Sequence, residues 1–254
     1  MKLYCKQYAD AGEPLIILHG LFGNQGNWGQ HAKIFANQYA VYGMDHRNHG
    51  RSEWEEGMTY EALAGDVHHT MRLYGIPSAH FIGHSMGGKT AMQLAISYPD
   101  LVRKLVVVDI APVQYKPHHD AIFEGLKTLN LDLIDSRQDA DEILSEYVSE
   151  KGIRDFLLAN LVKDAEGNYD WRMNLDAIRH GYTDLLAGMP DGKFMGPTLF
   201  IKGENSDYIL KKHEKAIMGR FPNAQIEQLD GTGHWLHAEQ PELFQAMVHK
   251  FLKN

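Results

Sequence analysis

An α/β fold is predicted, with a mostly parallel central sheet flanked by helices and an inserted helical cap. Three observations predict it. Short apolar runs recur along the chain with helical patterns between them, which is the alternation of βαβ units. Polar and glycine-rich punctuation follows these runs, at the strand ends where ligands of such sheets gather. Between Pro112 and Pro190 the strand pattern stops, and it resumes afterwards.

The runs at 15–18, 39–44, 79–82, 105–108, 199–201 and 224–229 read as strands. Several are apolar without alternation, as expected of strands covered on both faces. Helical spacing follows the third run, from Met86 to the stop at Pro99, and closes the chain from Pro241. The cap reads as helices over 119–129, 138–150, 152–161 and 175–186, interrupted by a polar surface turn at 164–170. The predicted division is a core of 1–112 and 191–254 and a cap of 113–190.

Bulk properties exclude several classes. A chain of 254 residues buries one large core. With 44% hydrophobic and 23% charged residues it has a soluble composition, and no apolar stretch nears the roughly 20 residues of a membrane span. A net charge of −8 argues against binding nucleic acid. Lys2 and Lys6 interrupt the N-terminal stretch, which lacks the pattern of a signal peptide, and the single cysteine, Cys5, fits a reducing compartment. The expected location is the cytoplasm. Among 15 histidines, the pairs His68-His69 and His118-His119 lack the spaced partners of a metal site, so no metal is expected.

Chemistry enters with Gly83-His84-Ser85-Met86-Gly87, a G-x-S-x-G motif between a strand and a helix. Such a turn presents a serine nucleophile, and its glycines avoid collisions with the neighbouring strand and helix. A serine hydroxyl needs a base and an acid behind that base. His234 follows the last strand in a glycine-rich turn and is the candidate base, whereas His237 faces elsewhere. Asp109 follows 105–108 and Asp207 follows 199–201, and either preserves the order Ser, Asp, His.

The segments HGLFG (19–23), DHRNHGRS (45–52), GHSMGGKTAM (83–92), VDIAPV (108–113), KGENSDY (202–208) and GTGHWLHAE (231–239) resemble the α/β-hydrolase superfamily, in particular its bacterial YbfF-type esterases and their animal ABHD11-type relatives. Most of the superfamily places the acid three residues after the glycine that ends the strand, but here Ser206 stands there and Asp207 is one residue off register. The resemblance therefore implies Asp109. It also implies an oxyanion hole from the N–H groups of Leu21 and Met86, with Phe22 the lesser alternative donor and a substrate contact, and it gives residues 45–50 a bracing role.

The implied reaction is hydrolysis of short- to medium-chain acyl esters, or acyl thioesters, through an acyl-enzyme on Ser85 without metal or organic cofactor. Phe123, Leu126, Leu157, Leu158, Leu161, Trp171 and Tyr182 are cap residues that can line an acyl pocket or fill the cap's own core. Lys89, Lys116, His118 and Arg172 can meet an anionic head group or stay solvated. A carbon–carbon bond hydrolase of the same fold is the alternative enzyme, and a small-ligand receptor the non-catalytic one.

Overall fold

Apolar side chains alternate across each central strand, so both faces of the sheet must be covered. The computed structural model describes residues 1–254. Its strands are β1 (Cys5–Gln7), β2 (Glu13–Leu18), β3 (Tyr39–Met44), β4 (Ala79–His84), β5 (Val102–Val108), β6 (Leu161–Lys163), β7 (Tyr169–Trp171), β8 (Thr198–Gly203) and β9 (Ala224–Leu229). Seven form one sheet in the order β1-β3-β2-β4-β5-β8-β9, parallel throughout except for β1. The helices are α1 (Gly29–Phe35), α2 (Tyr60–Leu73), α3 (Met86–Ser97), α4 (Asp120–Thr128), α5 (Arg137–Ser145), α6 (Lys151–Leu158), α7 (Leu175–His180), α8 (Tyr182–Leu186), α9 (Glu214–Arg220), α10 (Leu236–Glu239) and α11 (Pro241–Lys253).

Leu15, Ile17, Ile82, Val106 and Val108 face one way and pack with Phe35 of α1 and Phe244 and Val248 of α11. Ile16, Leu18, Phe81, Leu105 and Val107 face the other way, against Leu63 and Val67 of α2 and Met92 of α3. Each such side chain contributes about 1.5–3 kcal/mol on full burial, so the doubly covered strands anchor the fold. The second cluster runs without a break into Phe123, Leu126, Leu144, Leu157 and Ile178 between β5 and β8, so that segment is packed onto the rest.

Four expectations are corrected. The segment between Pro112 and Pro190 is not purely helical: β6 and β7 pair antiparallel around the turn at 164–168. The third of its helices therefore ends at Leu158, because Leu161 begins β6. The second ends at Ser145 rather than 150: Glu146 and Tyr147 turn their N–H groups to the i−3 carbonyls of Ile143 (3.3 Å) and Leu144 (3.1 Å), and the Arg154 guanidinium holds the carbonyls of Val148 (3.0 Å) and Ser149 (2.8 Å) in the loop beyond. The helix expected over 175–186 is two, α7 and α8, broken at Gly181, where a Cβ would come within 2.5 Å of the Met58 side chain. No helix is long and apolar enough to cross a membrane.

Candidate active site

Ser85 lies where β4 turns into α3, in a positive-φ conformation (φ 52°, ψ −116°) that costs energy for any residue with a side chain. Its N–H donates to Val108 O at 3.0 Å, which ties the turn to the end of β5. Two glycines permit the turn. A Cβ on Gly83 would lie 2.3 Å from the Gly87 carbonyl oxygen, and one on Gly87 would lie 2.4 Å from that of Leu18.

Asp109, the first residue past β5, also has positive φ (50°) and donates its N–H to Ile201 O of β8 at 2.8 Å. Its carboxylate is fully buried and fully engaged. Oδ2 accepts from His234 Nδ1 at 2.7 Å and from the Ser206 hydroxyl, and Oδ1 accepts from Gly203 N at 3.1 Å. Burial pushes its pKa up to about 6, against the pull of the Ser206 and Gly203 hydrogen bonds.

His234 occupies the turn after β9. Its ring stacks on Tyr208, centroids 4.0 Å apart and planes 21° apart, and its carbonyl accepts from His84 Nε2 at 3.0 Å. Burial pulls its pKa down to about 3, which keeps the imidazole neutral. With Nδ1 held by Asp109, Nε2 is the ring nitrogen left to exchange a proton. Ser85 and His234 line the same cavity of about 260 Å³.

Leu21 and Phe22 follow β2 beside the serine. The Phe22 N–H donates to His49 Nε2 at 3.2 Å, whereas the Leu21 and Met86 N–H groups meet no protein acceptor. The 45–52 segment holds this loop in place. Asp45 accepts from the N–H groups of Gln25 (2.6 Å) and Arg51 (2.9 Å), and His19 Nε2 accepts from His46 N at 3.0 Å. Phe22 is buried, packs its ring on Phe123 at 5.3 Å, and lines the cavity.

Other candidates separate. Asp207 is exposed, and its place beside the His–Asp pair is taken by Ser206. His237 is buried and stacked on Trp28, centroids 4.3 Å apart. Of the cap residues, Leu157 and Tyr182 face space next to Ser85, while Phe123, Leu126, Leu158 and Leu161 are buried in the apolar cluster and Trp171 is half-buried against it. His118 lines the cavity beside Ser85, Lys116 an open depression next to it, and Arg172 neither. Lys89 is neither solvated nor on a cavity wall: it is 1% exposed, and its ammonium donates to the carbonyls of Val113 (2.9 Å), Leu186 (3.4 Å) and Ala187. No group of three His, Cys, Asp or Glu side chains is arranged to hold a metal.

Sequence reasoning passed over Tyr208, Trp235, Ile122, Ile153 and Phe156, which line the cavity. Of these, only the adjacency of Trp235 to His234 and of Tyr208 to Asp207 offered a signal.

Comparison with known proteins gives one result. Residues 13–138 match the family model described as alpha/beta hydrolase fold. The chain is 40% identical over 254 aligned residues to the sn-1-specific diacylglycerol lipase ABHD11 of Mus musculus, covering 96% of this chain and 82% of that one. It is 35% identical over 242 residues to esterase YbfF of Escherichia coli K12, covering 95% and 93%. A solved structure titled "Marine microorganism esterase" superposes with a TM-score of 0.96 at 38% identity, covering 98% of this chain and 99% of that one. With kinship along nearly its whole length and the serine turn, sheet order and strand-end residues already described, the chain belongs to the α/β-hydrolase fold family.

Proposed function

We propose that this carboxylic-ester hydrolase works through an acyl-enzyme on Ser85, with His234 as base and acid and Asp109 as the group that orients it. The observation that carries this reading is the 2.7 Å bond from His234 Nδ1 to Asp109, which turns the other ring nitrogen to the cavity that Ser85 lines. Ser85 Oγ attacks the acyl carbonyl while its proton passes to His234 Nε2. The carbonyl oxygen, now negative, receives hydrogen bonds from the N–H groups of Leu21 and Met86; losing one such donor typically costs about 3 kcal/mol of barrier. His234 returns the proton to the leaving oxygen or sulfur, and the alcohol or thiol departs. Water then gives a proton to His234 and attacks the acyl carbon, and His234 passes that proton to the departing Ser85 Oγ as the carboxylic acid leaves.

Relatives named as an esterase and as a diacylglycerol lipase support ester substrates, and thioesters fit the same chemistry. Residues 113–190 act as the cap over a core of 1–112 and 191–254. The half-buried Cys5 thiol, pushed by burial up to about 12, is inert, and a lone unpaired cysteine supports a reducing, cytoplasmic setting.

Ser85→Ala tests the reading. The variant should lose hydrolysis of p-nitrophenyl butyrate and covalent labelling by a fluorophosphonate, and labelling that persists at another residue would overturn the assignment.

A further inference from the structure

Two adjoining chambers share Ser85, Leu21, His118, His119 and Tyr208. The larger, about 260 Å³, is bounded by Trp28, Ile122, Ile153, Phe156 and Trp235 and includes His234. The smaller, about 40 Å³, is lined by Tyr60, Ile110, Tyr182, Leu185 and Leu186 together with Leu21 and Met86, and not by His234.

The chemistry of ester cleavage distinguishes them. The leaving atom must take a proton from His234, so the leaving group occupies the side of Ser85 on which that imidazole stands. The acyl substituent, attached to the same carbon, points away. Both chambers are lined by Ser85 and Leu21, but only the smaller also has Met86 in its wall, and only the larger has His234. We infer that the smaller chamber is the acyl site and the larger one the leaving-group site, so the enzyme prefers short acyl groups on bulky apolar alcohols or thiols. This assignment rests on the reaction proposed above.

Size sets the limit on the acyl group. At about 10–15 Å³ for each water-sized group, the chamber holds about three, an acyl tail from acetyl to butyryl. Its walls are fixed by hydrogen bonds. The Tyr60 hydroxyl donates to Leu185 O at 2.7 Å, Lys89 holds the carbonyls of Leu186 and Ala187, and the Tyr182 hydroxyl meets His119 Nδ1 at 2.7 Å. Such walls do not yield easily to a longer chain.

The test is a pair of substrate series on the intact protein. With p-nitrophenol as the constant leaving group, kcat/KM should be highest from acetate to butyrate and lower by about tenfold or more at octanoate. With acetate constant, hexyl acetate should exceed ethyl acetate by about tenfold. Leu185→Ala and Leu186→Ala enlarge only the small chamber and should move the acyl optimum to longer chains. Phe156→Ala should lower the hexyl-to-ethyl ratio and leave the acyl optimum in place. A wild-type preference for octanoate, or an acyl optimum that moves with Phe156→Ala instead, overturns the assignment while ester hydrolysis itself stands. Failure to cleave any ester, with no fluorophosphonate labelling of Ser85, overturns the esterase reading and this assignment with it.

Discussion

Ser206 donates its hydroxyl hydrogen to Asp109, on the same carboxylate oxygen that meets His234 Nδ1. A carboxylate carried on β5 thus reaches the spot next to β8, and a serine from the β8 loop keeps it there. With Gly203 N on its other oxygen, the Asp109 side chain has little freedom to rotate.

Substitutions should follow that geometry. Asp109→Asn is expected to lower kcat/KM about 10³–10⁴-fold by removing the acceptor that sets the imidazole tautomer. Ser206→Ala should cost about 10–100-fold, the worth of one hydrogen bond to a charged group. Asp207→Asn, at an exposed position, should stay within about twofold. Steady-state kinetics on p-nitrophenyl butyrate checks the ranking, and a larger loss at Asp207 than at Asp109 would reverse the assignment of the acid.

Activity should fall on the acid side near pH 6. Asp109, pushed up to about 6 by burial, must be ionised to orient a neutral His234, which burial holds at about 3. As pH drops below 6 the pair takes up a proton, so kcat/KM should decline about tenfold per unit there and stay level above 7. A pH–rate profile at a temperature well below unfolding tests this; a plateau persisting to pH 5 contradicts it.

Stability has its own acid limb. His19 and His31 are pulled down to about 4 and His49 and His84 to about 3, each first by burial. Their folded pKa values lie below the ordinary 6.5, so the unfolded chain binds more protons below that pH. The stability they contribute is complete above pH 6.5 and lost as pH falls toward their folded values, at about 1.4 kcal/mol per group per unit. The thermal midpoint should therefore drop steeply between pH 6 and 4 and barely change between 7 and 8. The Asp109 and Asp45 shifts, being upward, oppose this trend but are outnumbered by the lowered histidines.

Glycine substitutions should separate packing from propensity. Gly87→Ala drives a methyl into Leu18 O and should destabilise by about 1–3 kcal/mol or more, lowering the midpoint by about 2–4 °C per kcal/mol. Gly65→Ala in α2, with open space around its Cβ, should be neutral or raise stability by up to about 1 kcal/mol. Calorimetry on the two variants decides.

Much of this was legible in the sequence. Strands covered on both faces appear as apolar runs, and G-x-S-x-G between such a run and a helix locates Ser85. β1 was not legible, because Cys5, Lys6 and Gln7 are half-buried or exposed at the sheet edge and carry no apolar run. Strands β6 and β7 have three residues each, mostly half-buried or exposed, too short for a period to show. The unusual Ser206 could be seen, but its bond to Asp109 spans 97 positions and no local pattern encodes it. Lys89 looked like surface charge, since its three carbonyl partners lie in the loop at Val113 and at the end of α8, which only the fold brings near.

Lys89 grips Val113, where the chain leaves the core, and Leu186 and Ala187, just before it re-enters. Both ends of this segment are thus pinned to the helix that starts just after Ser85. The opposite margin is fastened too, since Asn160, between α6 and β6, donates its amide to Phe22 O at 2.7 Å, so the ceiling is moored at both sides rather than hung from one.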